Sequence, residues 1–199
     1  MNRVTIDLPE LTEDLYNDVR LYLGEMHQAV ASHSIEVAIC ARQLAKRFND
    51  DQRAAEIGGL LHDISAVIPN ERRVELAELL EINVLSEERK LPMIIHQKLS
   101  KYMAKELFRI KDESILSAIE CHTTLKRDFY QLDMIVFLAD KIKWDHSGEP
   151  PYLEELLTAL DISLEKASLI YLDYLFNSEP AVIHPWAKEA QEKLRNITN

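Results

Sequence analysis

The chain has 199 residues and is 47% apolar, so it can bury the core of one domain and is too apolar for a disordered protein. Its 34 acidic and 23 basic residues give a formal net charge of −11, which disfavours a general nucleic-acid binder because such a surface repels phosphate backbones. A small phosphorylated substrate remains compatible with this charge if a bound metal makes one pocket locally positive.

Helical periodicity runs through almost the whole chain, with few glycines and prolines and no convincing strand, repeat or low-complexity segment. The first predicted helix has Thr12 as its N-cap residue, and an acidic cap opens the third. The predicted helices span residues 11–28, 33–48, 50–63, 70–82, 96–108, 112–123, 131–142, 151–161, 163–176 and a closing segment after Pro185. Residues 143–152 form a loop of unusual composition.

This pattern predicts an all-α, bundle-like fold in a single domain over residues 1–199. We expect a motif-bearing core at about residues 25–178 and a C-terminal helix at residues 182–197 packed on it. Cys40 and Cys121 belong to no CxxC pattern and are predicted to be core thiols, which suits a reducing compartment.

The N-terminal segment lacks the apolar run of a signal peptide, and no stretch approaches transmembrane length. We therefore expect a cytoplasmic protein that contacts neither nucleic acid nor a membrane. The sequence leaves a homodimer open.

Titratable residues interrupt the apolar faces of several predicted helices. By helical spacing, or by lying in an apolar segment, six of them point inward: His33, His62, Asp63, His96, His122 and Asp140. One inward histidine is more often a satisfied core residue than a ligand, but carboxylates are almost never fully buried without a partner. Several buried histidines and aspartates on separate helices are explained most economically by a metal.

Imidazole and carboxylate ligands together suit iron, manganese, cobalt or zinc. Six ligands are too many for one tetrahedral zinc and match two metals that share a bridging carboxylate.

The same residues carry a family pattern. His33, the pair His62-Asp63 and Asp140 resemble the H…HD…D signature of the HD-domain metal-dependent phosphohydrolases, which are all-helical and mostly hydrolyse nucleotides. From about Glu25 to the C-terminus the chain is similar to the YqeK branch of that family, in the stretches "GGLLHDI", "IIHQKLSKYMAKELF", "AIECHTT", "VFLADKI" and "VIHPWAKEA". That branch comprises bacterial enzymes resembling symmetrical bis(5′-nucleosyl)-tetraphosphatases with a di-iron centre.

The resemblance implies a role for each of the six residues. One metal would be held by His33, His62, Asp63 and Asp140. Asp63 would bridge to a second metal completed by His96 and His122. His62 and Asp63 are the expected catalytic residues, because a hydroxide bridging the metals would attack diadenosine tetraphosphate, a small nucleotide substrate, and release two ADP. The implied cofactors are two divalent or trivalent metal ions, iron first, with manganese, cobalt or zinc as alternatives.

Two departures from the family pattern concern phosphate contacts. Family members usually have a lysine in an HDxAK motif, where this chain has Ala66, and a proline followed by an arginine, where it has Trp144 and Asp145. Replacement substrate contacts are nominated among groups near the ligand-bearing segments: Lys98, Lys101, Thr123, Lys126 and His184. Thr123 is alternatively a helix cap, and His184 alternatively structural.

The other polar and aromatic residues of interest have simpler expectations. Trp144 either stacks on a base or packs against the fold, and His27 and His146 are expected at the surface. Three alternatives to tetraphosphate hydrolysis remain: hydrolysis of another small phosphorylated metabolite or nucleotide, oxygen chemistry at a di-iron centre, and a non-catalytic nucleotide sensor.

Overall fold

The fold is entirely helical in the part of the chain that the computed structural model describes, residues 11–12, 14–144 and 148–198. The α-helices of these ranges are α1 (Leu15–Leu23), α2 (Gln28–Arg47), α3 (Gln52–Leu61), α4 (Asn70–Leu79), α5 (Ser86–Lys90), α6 (His96–Glu106), α7 (Glu113–Cys121), α8 (Gln131–Ile142), α9 (Leu153–Leu160), α10 (Leu164–Asn177) and α11 (Pro185–Thr198). Two 3₁₀ turns, Glu25–His27 and Ile64–Val67, precede α2 and α4. The all-α prediction is confirmed.

The centre of the fold is built from α2, α3, α7 and α8. α2 packs along α3 and α8, while α7 contacts α3, α6 and α8. Large side chains such as Leu61, Ile119 and Phe137 are fully buried between these helices. Their burial removes apolar surface from water, the dominant favourable term in folding, and it fixes the helices that carry the titratable residues.

A glycine pair lets three of these helices approach closely. A Cβ atom on Gly59 would lie 2.8 Å from the Ala38 Cα atom in α2, and one on Gly58 would lie 2.9 Å from Val136 Cγ2 in α8. Any larger residue would therefore push α3 away from a neighbour. Because α3 ends immediately before His62, the two glycines set the distance from this histidine to α2 and α8.

The predicted helix over residues 11–28 is wrong in two respects. Asp14, not Thr12, caps α1, since its side chain accepts hydrogen bonds from the backbone N–H groups of Tyr16 and Asn17. Thr12 instead donates its hydroxyl to Asp18, at 2.8 Å. The helix then stops at Gly24, whose φ of 64° is a left-handed conformation that glycine adopts without strain.

A second difference is helix α5, which the periodicity does not predict. It has only five residues and follows a segment with no regular apolar spacing. Its Glu88 side chain accepts a hydrogen bond from the Leu85 N–H group at 2.7 Å and so caps the helix start. Local capping of this kind leaves no trace in a hydrophobic pattern.

Cys40 and Cys121 are buried, as predicted. Burial raises the pKa of the Cys40 thiol to about 11, which keeps it protonated and unreactive at neutral pH. No described helix is both long enough and apolar enough to cross a membrane. The expectations for the first ten residues and for Asp145 and His146 fall outside the described ranges.

Candidate metal centre

The six inward residues of the sequence analysis meet at one place in the structure. They come from α2 (His33), the two residues after α3 (His62, Asp63), the first residue of α6 (His96), the residue after α7 (His122) and α8 (Asp140). They form three overlapping groups, His33–His62–Asp63, His62–His122–Asp140 and Asp63–His96–His122, each with ligand atoms within 4.8 Å of one another.

The Asp63 carboxylate lies between two sets of histidines. Its Oδ1 atom is 3.1 Å from Nε2 of His96 and 3.6 Å from Nε2 of His122. Its Oδ2 atom is 3.7 Å from Nε2 of His62. The two oxygens of one carboxylate thus face different histidines, which is the arrangement of a carboxylate able to bridge two cations.

Asp140 is oriented by its neighbour in the chain. The buried Lys141 ammonium donates to Asp140 Oδ2 at 2.6 Å. The other oxygen, Oδ1, faces the centre, 3.1 Å from Nε2 of His33 and 3.5 Å from Nε2 of His62. Lys141 therefore fixes which oxygen is presented to a ligand, a role that outer partners commonly have around metal sites.

Three of the histidines share one backbone arrangement. Each has its Nδ1 atom close to the carbonyl oxygen three residues earlier: His62 to Gly59 at 2.7 Å, His96 to Met93 at 2.5 Å and His122 to Ile119 at 2.9 Å. A carbonyl only accepts hydrogen bonds, so each Nδ1 carries the proton and donates. In the neutral ring Nε2 is then the unprotonated nitrogen, and in all three residues it faces the centre.

Two observations test whether a metal ion fits there. The buried Nε2 atom of His62 has no hydrogen-bond partner among the described residues. The Nε2 atoms of His96 and His122 lie 2.9 Å apart although neither neutral ring has a proton to donate between them. A cation would satisfy the lone pairs of His96 and His122 and, after displacing its proton, that of His62, so the donor set fits a metal.

The electrostatics keep both carboxylates ionised. Burial raises the pKa of Asp63, but the positive charge of the neighbouring His62 outweighs it and holds this pKa well below its usual range. For Asp140, burial is likewise outweighed, first by the charge of Lys141 and then by His33 and His62. Ionised carboxylates are the form that ligates metals.

The pKa values of two of the histidines, His122 and His62, are shifted in opposite directions. Burial lowers the pKa of His122 to about 4, so this ring is neutral at physiological pH. Burial also lowers the pKa of His62, but the charges of Asp63 and Asp140 outweigh it and raise that pKa to about 9. A metal binding at His62 must therefore displace a proton, whereas His122 has none to lose.

Residues 30–145, which contain the whole cluster, match the HD domain family. This chain belongs to the HD domain family. HD domain hydrolases are metal-dependent phosphohydrolases, and the cluster of histidines and aspartates fits their metal site. The fold-class prediction and the recognition of the family from sequence are both confirmed.

Three known proteins illustrate the similarity. An uncharacterized protein in the pepC 5′ region of Lactococcus lactis subsp. cremoris is 58% identical over 71% of this chain and 73% of its own length. A protein of Halalkalibacterium halodurans named bis(5′-nucleosyl)-tetraphosphatase, symmetrical, is 34% identical over 68% of this chain and 71% of its own. The crystal structure of a "predicted HD superfamily hydrolase involved in NAD metabolism" from Clostridium acetobutylicum superposes with a TM-score of 0.80 at 29% identity, covering 92% of this chain and 97% of that one.

Lys98, nominated as a phosphate contact, has a different partner. Its ammonium is buried and lies 2.8 Å from Glu88 Oε1 of α5, and it donates to the Asn83 carbonyl at 2.9 Å. It also lies 4.7 Å from the centre of the Trp186 ring. The charge of a side chain held in this way is neutralised within the fold, so the structure places Lys98 in a buried ion pair.

His184 belongs to the same buried network. Its Nδ1 atom accepts from the Trp186 N–H group at 3.2 Å, and its Nε2 atom is 3.3 Å from Glu88 Oε1. His184 thereby ties the segment before α11 to α5. Of the two interpretations of this residue, the structural one agrees with these contacts.

Two of the remaining nominated residues have partners on α7, and the third contacts His96. Lys101 pairs with Glu120 at 2.9 Å, and Lys126 donates to Ser117 at 2.7 Å. Thr123 does not cap α7: its hydroxyl is 3.3 Å from Nε2 of His96, and its backbone N–H donates to Gln97 at 3.2 Å. Thr123 is therefore the nominated residue at the edge of the metal centre.

Two residues beside the cluster have contacts that the sequence does not predict: Lys141, which orients Asp140, and Arg73, whose Nη1 atom donates to the Met93 carbonyl that also accepts from His96. Lys141 has a signal in the sequence, since it follows Asp140 directly. Arg73 has none, because it lies on α4 among other charged residues and its position at the centre arises only from the tertiary fold.

A cleft of about 400 Å³ opens beside the centre. It is lined by Ala29, Val30, Ser32, His33, Glu36, Asp63 and Trp144. Two of these residues belong to the metal centre, and Trp144 supplies an aromatic wall that also meets Tyr152 edge-on, with ring centroids 6.1 Å apart.

Proposed function

We propose that this HD-domain phosphohydrolase hydrolyses dinucleoside tetraphosphates symmetrically, converting diadenosine tetraphosphate to two ADP. The observation that carries the proposal is the Asp63 carboxylate, whose oxygens face His96 and His122 on one side and His62 on the other. The name of the Halalkalibacterium halodurans relative supports the same activity.

The proposed cofactors are two metal ions, with iron preferred over manganese, cobalt and zinc. His33, His62 and Asp140 would hold one ion, His96 and His122 the other, and Asp63 would contact both. Bound there, the ions supply Lewis-acid polarisation of the phosphoryl group and activation of water.

The residues of the chain prepare this chemistry before substrate arrives. The carbonyl partners of His62, His96 and His122 hold each ring in one tautomer and one orientation, so ligation costs little reorganisation. Lys141 holds Asp140 with a single oxygen facing the centre. In this proposal, the catalytic contribution of His62 and Asp63 is to hold the metal ions at the position of attack.

The cleft beside the centre supports a nucleotide as the substrate. It reaches Asp63 and His33, and its Trp144 wall has the flat apolar face on which a nucleobase stacks. Its 400 Å³ can take one nucleotide moiety of a dinucleotide.

The test is product analysis with purified, metal-loaded protein. We expect ADP as the only nucleotide product of diadenosine tetraphosphate, and an activity loss of at least about a thousandfold for Asp63→Asn. Gln52→Ala, at an exposed position of α3, is the control and should retain full activity. Production of AMP with ATP, or no turnover, would contradict the proposal.

A second candidate is hydrolysis of a pyridine nucleotide or another small phosphorylated metabolite. It is favoured by the Clostridium acetobutylicum neighbour, whose title names NAD metabolism. A product screen over pyridine and purine nucleotides distinguishes the two candidates. Oxygen chemistry would instead appear as a dependence of turnover on air, and a sensor would bind nucleotide without turnover. The cytoplasmic location, the single domain and the homodimer stay predictions.

A further inference from the structure

A phosphorylated substrate is negatively charged, and so is this protein. The chain has a net charge of −11. Two nominated replacements are already paired with carboxylates, Lys98 with Glu88 at 2.8 Å and Lys101 with Glu120 at 2.9 Å. Lys126 also faces Glu120, at 3.8 Å. Each pair neutralises a charge that a phosphate would otherwise use.

Arg73, on α4, lies at the edge of the metal centre. Its Nε atom donates to the Ile68 carbonyl at 3.0 Å, and its Nη1 atom donates to the Met93 carbonyl at 3.4 Å. The same Met93 oxygen accepts the hydrogen bond from Nδ1 of His96. One carbonyl thus links the guanidinium to a histidine of the centre and fixes the distance between them.

The charge of Arg73 is not neutralised by the hydrogen bonds it makes. Both of its partners are neutral carbonyls, and no carboxylate of the described residues lies within 4.0 Å of the guanidinium nitrogens. The side chain is partly buried, and burial lowers its pKa. Asp63 is the strongest of the charges that oppose this effect, as expected for a guanidinium close to the centre.

We propose that Arg73 binds a phosphate group of the substrate. A planar guanidinium matches a phosphate with two parallel hydrogen bonds, and Nη2 has no hydrogen-bond partner among the described residues. The two carbonyls hold the group rigid, so little side-chain entropy is lost on binding. The inference rests on the proposed function, because it assigns a contact to a phosphorylated substrate.

The test compares Arg73→Gln with Arg72→Gln, which removes the same charge from an exposed position one residue away on the same helix. Inorganic pyrophosphate and ADP serve as probes in calorimetric titrations of protein saturated with manganese. Arg73→Gln should raise both dissociation constants about ten- to a hundredfold. Arg72→Gln should leave them unchanged, and all proteins should hold the same amount of metal.

Equal affinities for wild type and Arg73→Gln would overturn the proposal. So would a weakening that disappears once the variant is fully loaded with metal, since Arg73 would then only support His96. Arg73→Lys keeps the positive charge but lacks the planar guanidinium. Its dissociation constants should lie between those of wild type and Arg73→Gln, and it provides the comparison if Arg73→Gln does not fold. Pyrophosphate binding that depends on Arg73, without turnover of diadenosine tetraphosphate, would retain this inference and reject the proposed substrate.

Discussion

His96 and His122 face each other through their Nε2 atoms at 2.9 Å, while their Nδ1 atoms donate to the backbone carbonyls of Met93 and Ile119. In the neutral rings this contact brings two lone pairs together and is repulsive. A cation bound at both nitrogens turns the same contact into a stabilising one. The contact between the two rings is therefore explained by a positive charge that neither neutral ring provides.

Metal binding should accordingly raise the melting temperature. At a free metal concentration about 100 times the dissociation constant the gain is about 2.7 kcal/mol. For a chain of this size that corresponds to a shift of about 5–10 °C in a thermal melt. His122→Ala should lose most of the shift, while His27→Ala, outside the centre, should keep it. An unchanged melting temperature with and without a chelator would contradict this expectation.

Metal affinity should rise with pH. Because Asp63 and Asp140 raise the pKa of His62 to about 9, metal must displace a proton from this ring at any lower pH. Between pH 6 and pH 9 the apparent association constant should increase by up to about tenfold per pH unit. Calorimetry in buffers of different ionisation enthalpy measures the released proton, and release of none at pH 7 would refute this reasoning.

Gly59→Ala should destabilise the fold and loosen the centre together. The new Cβ would meet backbone atoms of Ala38 at 2.8 Å, and backbone cannot move aside as a side chain can. We expect the free energy of unfolding measured in urea to fall by about 1–3 kcal/mol. Metal binding should weaken as well, because His62 would move away from α2. Gln52→Ala, exposed on the same helix, should change the free energy of unfolding by less than about 0.5 kcal/mol.

Lys98→Met should act on stability and not on substrate binding. The buried Glu88 would lose its ion-pair partner, at a cost of about 3–5 kcal/mol. Lys101→Met removes a more exposed pair with Glu120 and should cost about 0–1 kcal/mol. Chemical denaturation measures both values. A large rise in KM for Lys98→Met with unchanged stability would mean that Lys98 contacts the substrate after all.

The composition of the candidate metal centre is accessible from sequence because its side chains violate a pattern. His33, His122 and Asp140 stand on apolar helical faces, where periodicity predicts that they point inward, and the His62-Asp63 pair carries the family signature. Because the helices pack around one core, the side chains that point inward from them are expected to converge.

The contacts around the centre cannot be predicted from helical periodicity. The ion-pair partner of Lys98 lies on α5, a five-residue helix without periodicity, so the sequence alone does not indicate that this lysine is paired. Arg73 lies among exposed charged residues on α4. Its hydrogen bonds to the Ile68 and Met93 carbonyls, which place it near His96, depend on the tertiary fold. Which charges are paired is a property of the tertiary structure, and a single sequence does not encode it in any local pattern.

We expect Asp63 to lie between two metal ions. Anomalous diffraction from crystals grown with iron, recorded at the iron absorption edge, tests it most directly. We predict two peaks, one among His33, His62 and Asp140 and one beside His96 and His122, with the two Asp63 oxygens between them. A single peak, or metal bound away from Asp63, would contradict the account.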